Sequence, residues 1–109
     1  MPARVRRFIA AGENELFLSA ASAWEIAIKH QIGRLRLDRT AREYVAYYTR
    51  ELSLRPLDVA TDHALAVADL PLHHGDPFDR LLIAQARLEK LPVVTGDAVM
   101  RRYDVRVIW

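Results

Sequence analysis

Glu15 to Gly33 read ELFLSAASAWEIAIKHQIG. The first five residues are a short apolar run bounded by polar ones, the pattern of a buried strand. With no linker the chain then passes into helical spacing: Trp24, Ala27, Ile28 and Ile32 fall on one side, and Gly33 is a stop. Ser22 followed three residues later by Glu25 is the S-x-x-E pattern of a capping box, so the helix is expected to open at Ser22 with Glu25 in its first turn. A strand that feeds a helix directly is one piece of a strand–helix alternation. Whether the rest of the chain continues it decides the fold class.

It does in both directions. Upstream, ARVRRFIAA (3–11) reads as helix, with Val5, Phe8 and Ile9 at i, i+3, i+4 and Gly12 as a stop. Downstream, RTAREYVAYYTREL (39–52) is a helix with Tyr44, Val45, Tyr48 and Leu52 on one stripe. LRPLDV (54–59) can be only a short or edge strand, because Pro56 cannot donate to a ladder. ATDHALAVAD (60–69) is a third helix that ends before Pro71. After the loop PLHHG, Asp76 is an expected N-cap with Pro77 at the first helical position. The helix FDRLLIAQARLEK (78–90) is apolar on much of its circumference and is expected to be buried. LPVVT (91–95) is a strand, Gly96-Asp97 a turn into the short helical piece AVMRRY (98–103), and VRVIW (105–109) a final strand. The expectation is an α/β fold, a largely parallel sheet flanked by helices, in a single domain covering 1–109.

Composition narrows the function classes. The chain has 109 residues, 51% of them apolar and 28% charged, which is ordinary for a globular domain and argues against disorder. It has no cysteine. Disulfide frameworks, thiolate zinc sites and cysteine nucleophiles are therefore excluded. MPARVRRFIAAGENE lacks the continuous apolar core of a signal peptide, and no stretch approaches the roughly 20 apolar residues of a membrane span, so a cytoplasmic protein with no membrane partner is expected. Of 16 basic residues only Lys29 and Lys90 are lysine. Arginine forks match phosphate, which suits nucleic acid or an acidic partner, but a GC-rich genome writes the same bias, and composition leaves the two explanations open.

Three acids occupy equivalent places in the pattern. Glu25 follows ELFLS in the expected first turn of its helix, Asp79 lies in the first turn of its own, three residues after the Asp76 cap, and Asp97 follows the carboxyl end of LPVVT. In open parallel sheets, ligands collect outside the carboxyl ends of the strands, so all three are expected to face one crevice. Each has a plain structural explanation as a capping or turn residue. Together they repel one another unless a cation is present. Hard oxygen donors without cysteine point to Mg2+ or Mn2+, completed by substrate phosphate, and hence to phosphodiester hydrolysis. His73 and His74 lack the spacing of zinc motifs and read as a solvated or substrate-contacting loop. His30 and His63 read as surface helix residues. No phosphate-binding glycine loop and no G-x-S-x-G elbow is present.

SAASAWEIAIKHQIGRL (19–35), HHGDPFDRLLIAQA (73–86) and VVTGDAVMRRYDVRVIW (93–109) resemble, in order and spacing, the blocks of PIN-domain ribonucleases, closest to the VapC-type toxins of bacterial toxin–antitoxin pairs. The resemblance covers nearly the whole chain. It implies a PIN-like fold, Mg2+-dependent cleavage of RNA, a homodimer, and a cognate antitoxin that lays an arginine-bearing tail into the acidic site. The catalytic and metal-binding acids it implies are Glu25, Asp79 and Asp97. Ser22 and Thr95 fall where family members often carry hydroxyls, and Asp76 is an auxiliary acid or simply the cap.

One departure stands out. Family members begin with a central strand carrying the first catalytic aspartate, followed by a helix, and here the first acids, Glu13 and Glu15, lie in a turn and do not fit that role. The expectation is a misread start or a degenerate copy, with two neighbouring strands left short of a partner. Two function classes follow: a metal-dependent toxin ribonuclease, or a PIN remnant that binds antitoxin or partner chains without cutting RNA. A response-regulator-like domain also uses clustered acids and Mg2+, but the phospho-acceptor aspartate and late lysine it needs are not convincingly offered.

Overall fold

The computed structural model describes residues 1–109. In chain order the elements are α1 (Ala3–Ala10), β1 (Phe17–Ser19), α2 (Ala20–Gln31), α3 (Ala41–Glu51), β2 (Arg55–Leu57), α4 (Thr61–Ala66), α5 (Pro77–Glu89), β3 (Val93–Val94) and β4 (Val107–Ile108). Tight 3-10 turns follow α4 at Val67–Asp69 and β3 at Ala98–Arg102. The residues fall into two units: a middle unit, Ile9–Asp58, and a terminal unit that joins Met1–Phe8 to Val59–Trp109.

The α/β class holds, and every strand pairing is parallel. β1 pairs with β2 in the middle unit, with Leu18 opposite Pro56, and β3 pairs with β4 in the terminal unit, with Val93 opposite Val107. The four strands thus make two two-stranded ribbons rather than one sheet. Parallel neighbours need a crossover between them. α2 and α3 supply it for the first ribbon, and the Ala98–Arg102 turn supplies it for the second. The strands are two or three residues long, shorter than the apolar runs that announce them.

In the middle unit the strand passes into the helix without a break, but not at the expected residue. Ser19, not Ser22, is the N-cap of α2: its backbone is extended and its side chain accepts the N–H of Ala21 at 3.1 Å. Ala20 and Ala21 are strong helix formers and begin the helix at once, so nothing holds the cap back to Ser22. Ser22 is consequently the third helical residue, and Glu25 lies in the second turn rather than the first. At the other end Gly33, at φ +78°, turns the chain out of the helix, and Arg34 N–H bonds back to the Lys29 carbonyl at 2.8 Å. A Cβ disfavours that left-handed conformation, which is why a glycine stands there. Thr40 caps α3 and exchanges hydrogen bonds with Glu43. The expected apolar side of α2 is largely exposed, with Trp24 at 57% and Ile32 at 58% of full accessibility. Only Ser19 and Ala21 of this unit are buried.

The terminal unit holds the core. Leu70, Ile83, Ala84, Ala86, Val93, Met100 and Tyr103 form one buried cluster, so α5 is buried along one face as its composition implied. The expected helix over 60–69 is split into α4 and a 3-10 turn. His63 is buried rather than on the surface. Its Nδ1 accepts the N–H of Ala60 at 2.9 Å, and its Nε2 meets Glu89 Oε1 at 2.8 Å. With Nδ1 accepting, the neutral ring carries its proton on Nε2 and donates it to Glu89. The imidazole satisfies an orphan N–H at the start of α4 and ties that helix to the end of α5. Such a double use makes burial favourable, and it is invisible in a helical wheel.

Candidate metal centre

The site in the terminal unit grows from two caps. Asp76 precedes α5 with Pro77 at the first helical position, and its Oδ1 accepts the N–H groups of Phe78 at 2.8 Å and Asp79 at 3.2 Å. These are donors that a helix start leaves without a partner, and proline has none to lose there. Asp79 is thereby fixed in the first turn of α5. Asp97 caps the Ala98–Arg102 turn, its Oδ1 accepting the Val99 N–H at 2.9 Å. Thr95 Oγ1 accepts the Asp97 N–H at 3.1 Å, so the hydroxyl expected beside the site holds the backbone of an acid. Gly96 lies against the indole of Trp109: a Cβ there would stand 2.8 Å from Cε2. Only glycine lets the turn that presents Asp97 approach the ring so closely.

His74 joins the two acids. Its Nε2 lies 2.6 Å from Asp97 Oδ2 and 3.2 Å from Asp79 Oδ2. Its Nδ1 accepts the N–H of Asp76 at 3.1 Å. A nitrogen that accepts carries no proton, so in the neutral ring the proton is on Nε2 and points between the two carboxylates. The donor atoms of His74, Asp79 and Asp97 all lie within 4.8 Å of one another. The hydrogen bond from His74, and after it the Val99 N–H, hold the Asp97 carboxyl below its ordinary range.

The loop that carries His74 is anchored from behind. The Tyr103 hydroxyl, in a buried residue, accepts the backbone N–H of His74 at 2.7 Å and of His73 at 3.1 Å. Arg80, in α5, donates to the carbonyls of Pro71 at 2.9 Å and Val67 at 3.1 Å. One side chain thus holds the loop's amides and another its carbonyls, which places the imidazole over the acids.

Of the expected site residues, Asp79 and Asp97 are brought to one nitrogen, with Asp76 and Thr95 supporting them. Glu25 and Ser22 belong to the middle unit. There Glu25, half-buried on α2, is ion-paired with Lys29 one turn along at 2.5 Å. Sequence reasoning missed His74 and Tyr103. His74 carries one faint signal: a histidine two residues before a capping aspartate can reach that residue's N–H. Tyr103 carries none, because its two amide partners lie about thirty positions away.

Two carboxylates converging with hard oxygens are a donor set that fits Mg2+ or Mn2+, and without cysteine the set does not suit a soft metal. The PIN domain family profile matches residues 2–106. Ribonuclease VapC16 of Mycobacterium tuberculosis (strain ATCC 25618 / H37Rv) is 45% identical over 51 residues, which are 47% of this chain and 35% of that protein. The chain therefore matches about a third of the length of this curated relative.

Proposed function

This chain belongs to the PIN domain family, and from that premise we propose that it is a Mg2+- or Mn2+-dependent endoribonuclease, the toxin component of a toxin–antitoxin pair. The observation that carries the reading is the pair of carboxylates, Asp79 and Asp97, directed at a single nitrogen. Like charges kept that close need a cation or a donor between them. That the matched relative is named a ribonuclease is a second support.

A divalent ion bound there supplies an activated water for attack on phosphorus and stabilises the leaving oxygen. Asp79 and Asp97 each offer that ion an oxygen. Asp97 is held ionised by its two hydrogen bonds, and Thr95 fixes its backbone. Asp76 sets the first turn of α5 and so the direction of Asp79. On sequence grounds Glu25 is the third acid of the reading, with Ser22 as an auxiliary hydroxyl. The two units are read as one PIN domain, since a single family profile spans both. Trp24, Ile32, Tyr48 and Leu52 are exposed apolar side chains of the middle unit, which supports a protein contact there, a homodimer or the cognate antitoxin. No helix is long and apolar enough to cross a membrane. The reading places the protein in the cytoplasm with its RNA substrate.

The Lys29–Glu25 ion pair favours a second reading, in which this chain binds antitoxin or partner chains without cleaving, because a carboxylate matched by its own helix is less available to a metal. Incubation of the protein with a structured RNA and Mg2+ separates the two. The nuclease reading predicts cleavage that chelation stops and that Asp79→Asn and Asp97→Asn each abolish while each variant still folds. Undiminished cutting by either variant would remove that residue from the site, and antitoxin binding without any cleavage would favour the second reading.

A further inference from the structure

We propose that His74 is a built-in competitor of the metal: its Nε2–H fills the space between Asp79 and Asp97, and a cation enters only when the imidazole swings out. This rests on the metal reading of that carboxylate pair.

What decides the role of His74 is which ring nitrogen carries the proton. Asp76 N–H donates to Nδ1 at 3.1 Å, so Nδ1 presents a lone pair. Nε2 is then a donor, 2.6 Å from one carboxylate oxygen and 3.2 Å from the other. A nitrogen that ligates a metal must instead present a lone pair. Making His74 a ligand through Nε2 requires moving its proton to Nδ1, where it would face the Asp76 N–H, donor against donor. The ring as held cannot serve as the third ligand. It stands where the cation would stand and does part of the cation's work, spreading positive N–H character between two anions.

The surroundings are built for that position. Tyr103 holds the loop by the backbone N–H of His74 and Arg80 holds it by the carbonyl of Pro71, so a swing of the imidazole is a side-chain rotation with the loop's backbone in place. The His74 side chain is 15% exposed, so leaving costs the Nδ1 contact, the two carboxylate contacts and the remaining burial of the ring. A charge-assisted hydrogen bond of this kind shifts an equilibrium by roughly tenfold or more. His74 therefore sets a threshold for metal, and the site is held shut against low concentrations of it.

Mn2+ binding to the full chain, followed through the electron paramagnetic resonance signal of the free ion, tests this directly. His74→Ala removes the competing donor and leaves the two carboxylates repelling each other, so the variant should bind Mn2+ about tenfold more tightly than the wild type. His74→Gln, whose amide N–H reaches the place of Nε2, should return the affinity to near the wild-type value. A second readout is independent of affinity. In nitrogen–proton correlation spectra of the histidine rings, saturating Mg2+ should shift the His74 Nε2 proton away from its hydrogen-bonded position while Nδ1 stays unprotonated. Weaker binding by His74→Ala would make His74 a ligand, and equal binding would make it a bystander. Either overturns the proposal and spares the metal site. No binding by any of the three proteins would overturn the metal reading and this proposal with it.

Discussion

Asp97 is the residue on which chemistry and folding meet. In the folded chain it accepts from His74 Nε2 and from the Val99 N–H, and both favour the ionised form, so its carboxyl titrates below the ordinary value of 3.8. A carboxyl depressed on folding adds stability that is complete above the unfolded pKa and is lost as pH falls through the folded one. The window therefore opens near pH 3.8 and lies on its acid side. In a carbon-detected titration the Asp97 carboxyl should show a midpoint below 3.8, and His74→Ala should move that midpoint upward. A midpoint unmoved by the substitution would mean that His74 does not hold the acid. At this scale the sequence was informative where a residue's role is local. Asp76 as cap, Pro77 beside it and Asp79 in the first turn follow from neighbours in the chain. His63 and His74 were misjudged because what each ring does depends on an acid more than twenty positions away.

Among the elements, the helices were legible because their period and their punctuation agree. Gly12, Gly33 and the Asp76-Pro77 pair fall at ends that the structure confirms. The start of α2 was misplaced because the four small residues between Ser19 and Trp24, Ala20, Ala21, Ser22 and Ala23, are helix-compatible, and Ser19 caps as well as Ser22 could. α5 offers a test of what its cap contributes. Asp76→Ala removes the acceptor for two backbone N–H groups and should cost about 0.5–2 kcal/mol in denaturant unfolding, whereas Asp76→Asn, which caps equally well, should cost little. If Asp76→Asn keeps stability but loses RNA cleavage, Asp76 is an auxiliary acid as well as a cap. If it keeps both, capping is its whole contribution.

For the whole molecule the alternation of strands and helices was enough to give the α/β class, and the parallel pairing followed from it. How four short strands divide into two ribbons was not legible, because pairing depends on which edges meet and an apolar run such as LPVVT looks the same in either arrangement. The units also differ in what they bury. The terminal unit encloses Ile83 at 0% and Met100 at 1% exposure, whereas the middle unit buries only Ser19 and Ala21. Hydrogen exchange follows such differences, since local opening is easiest where few side chains are buried. Amides of α5 around Ile83 should outlast those of α3, and the reverse order would contradict this account of where the core lies. The claim on which the rest depends is that Asp79 and Asp97 together hold a divalent cation. Its most direct test is a Mn2+ titration without RNA, comparing the wild type with the Asp79→Asn, Asp97→Asn double variant. Saturable binding by the wild type is expected, and the double variant should lose it while keeping its fold. Equal binding by the two proteins would contradict it.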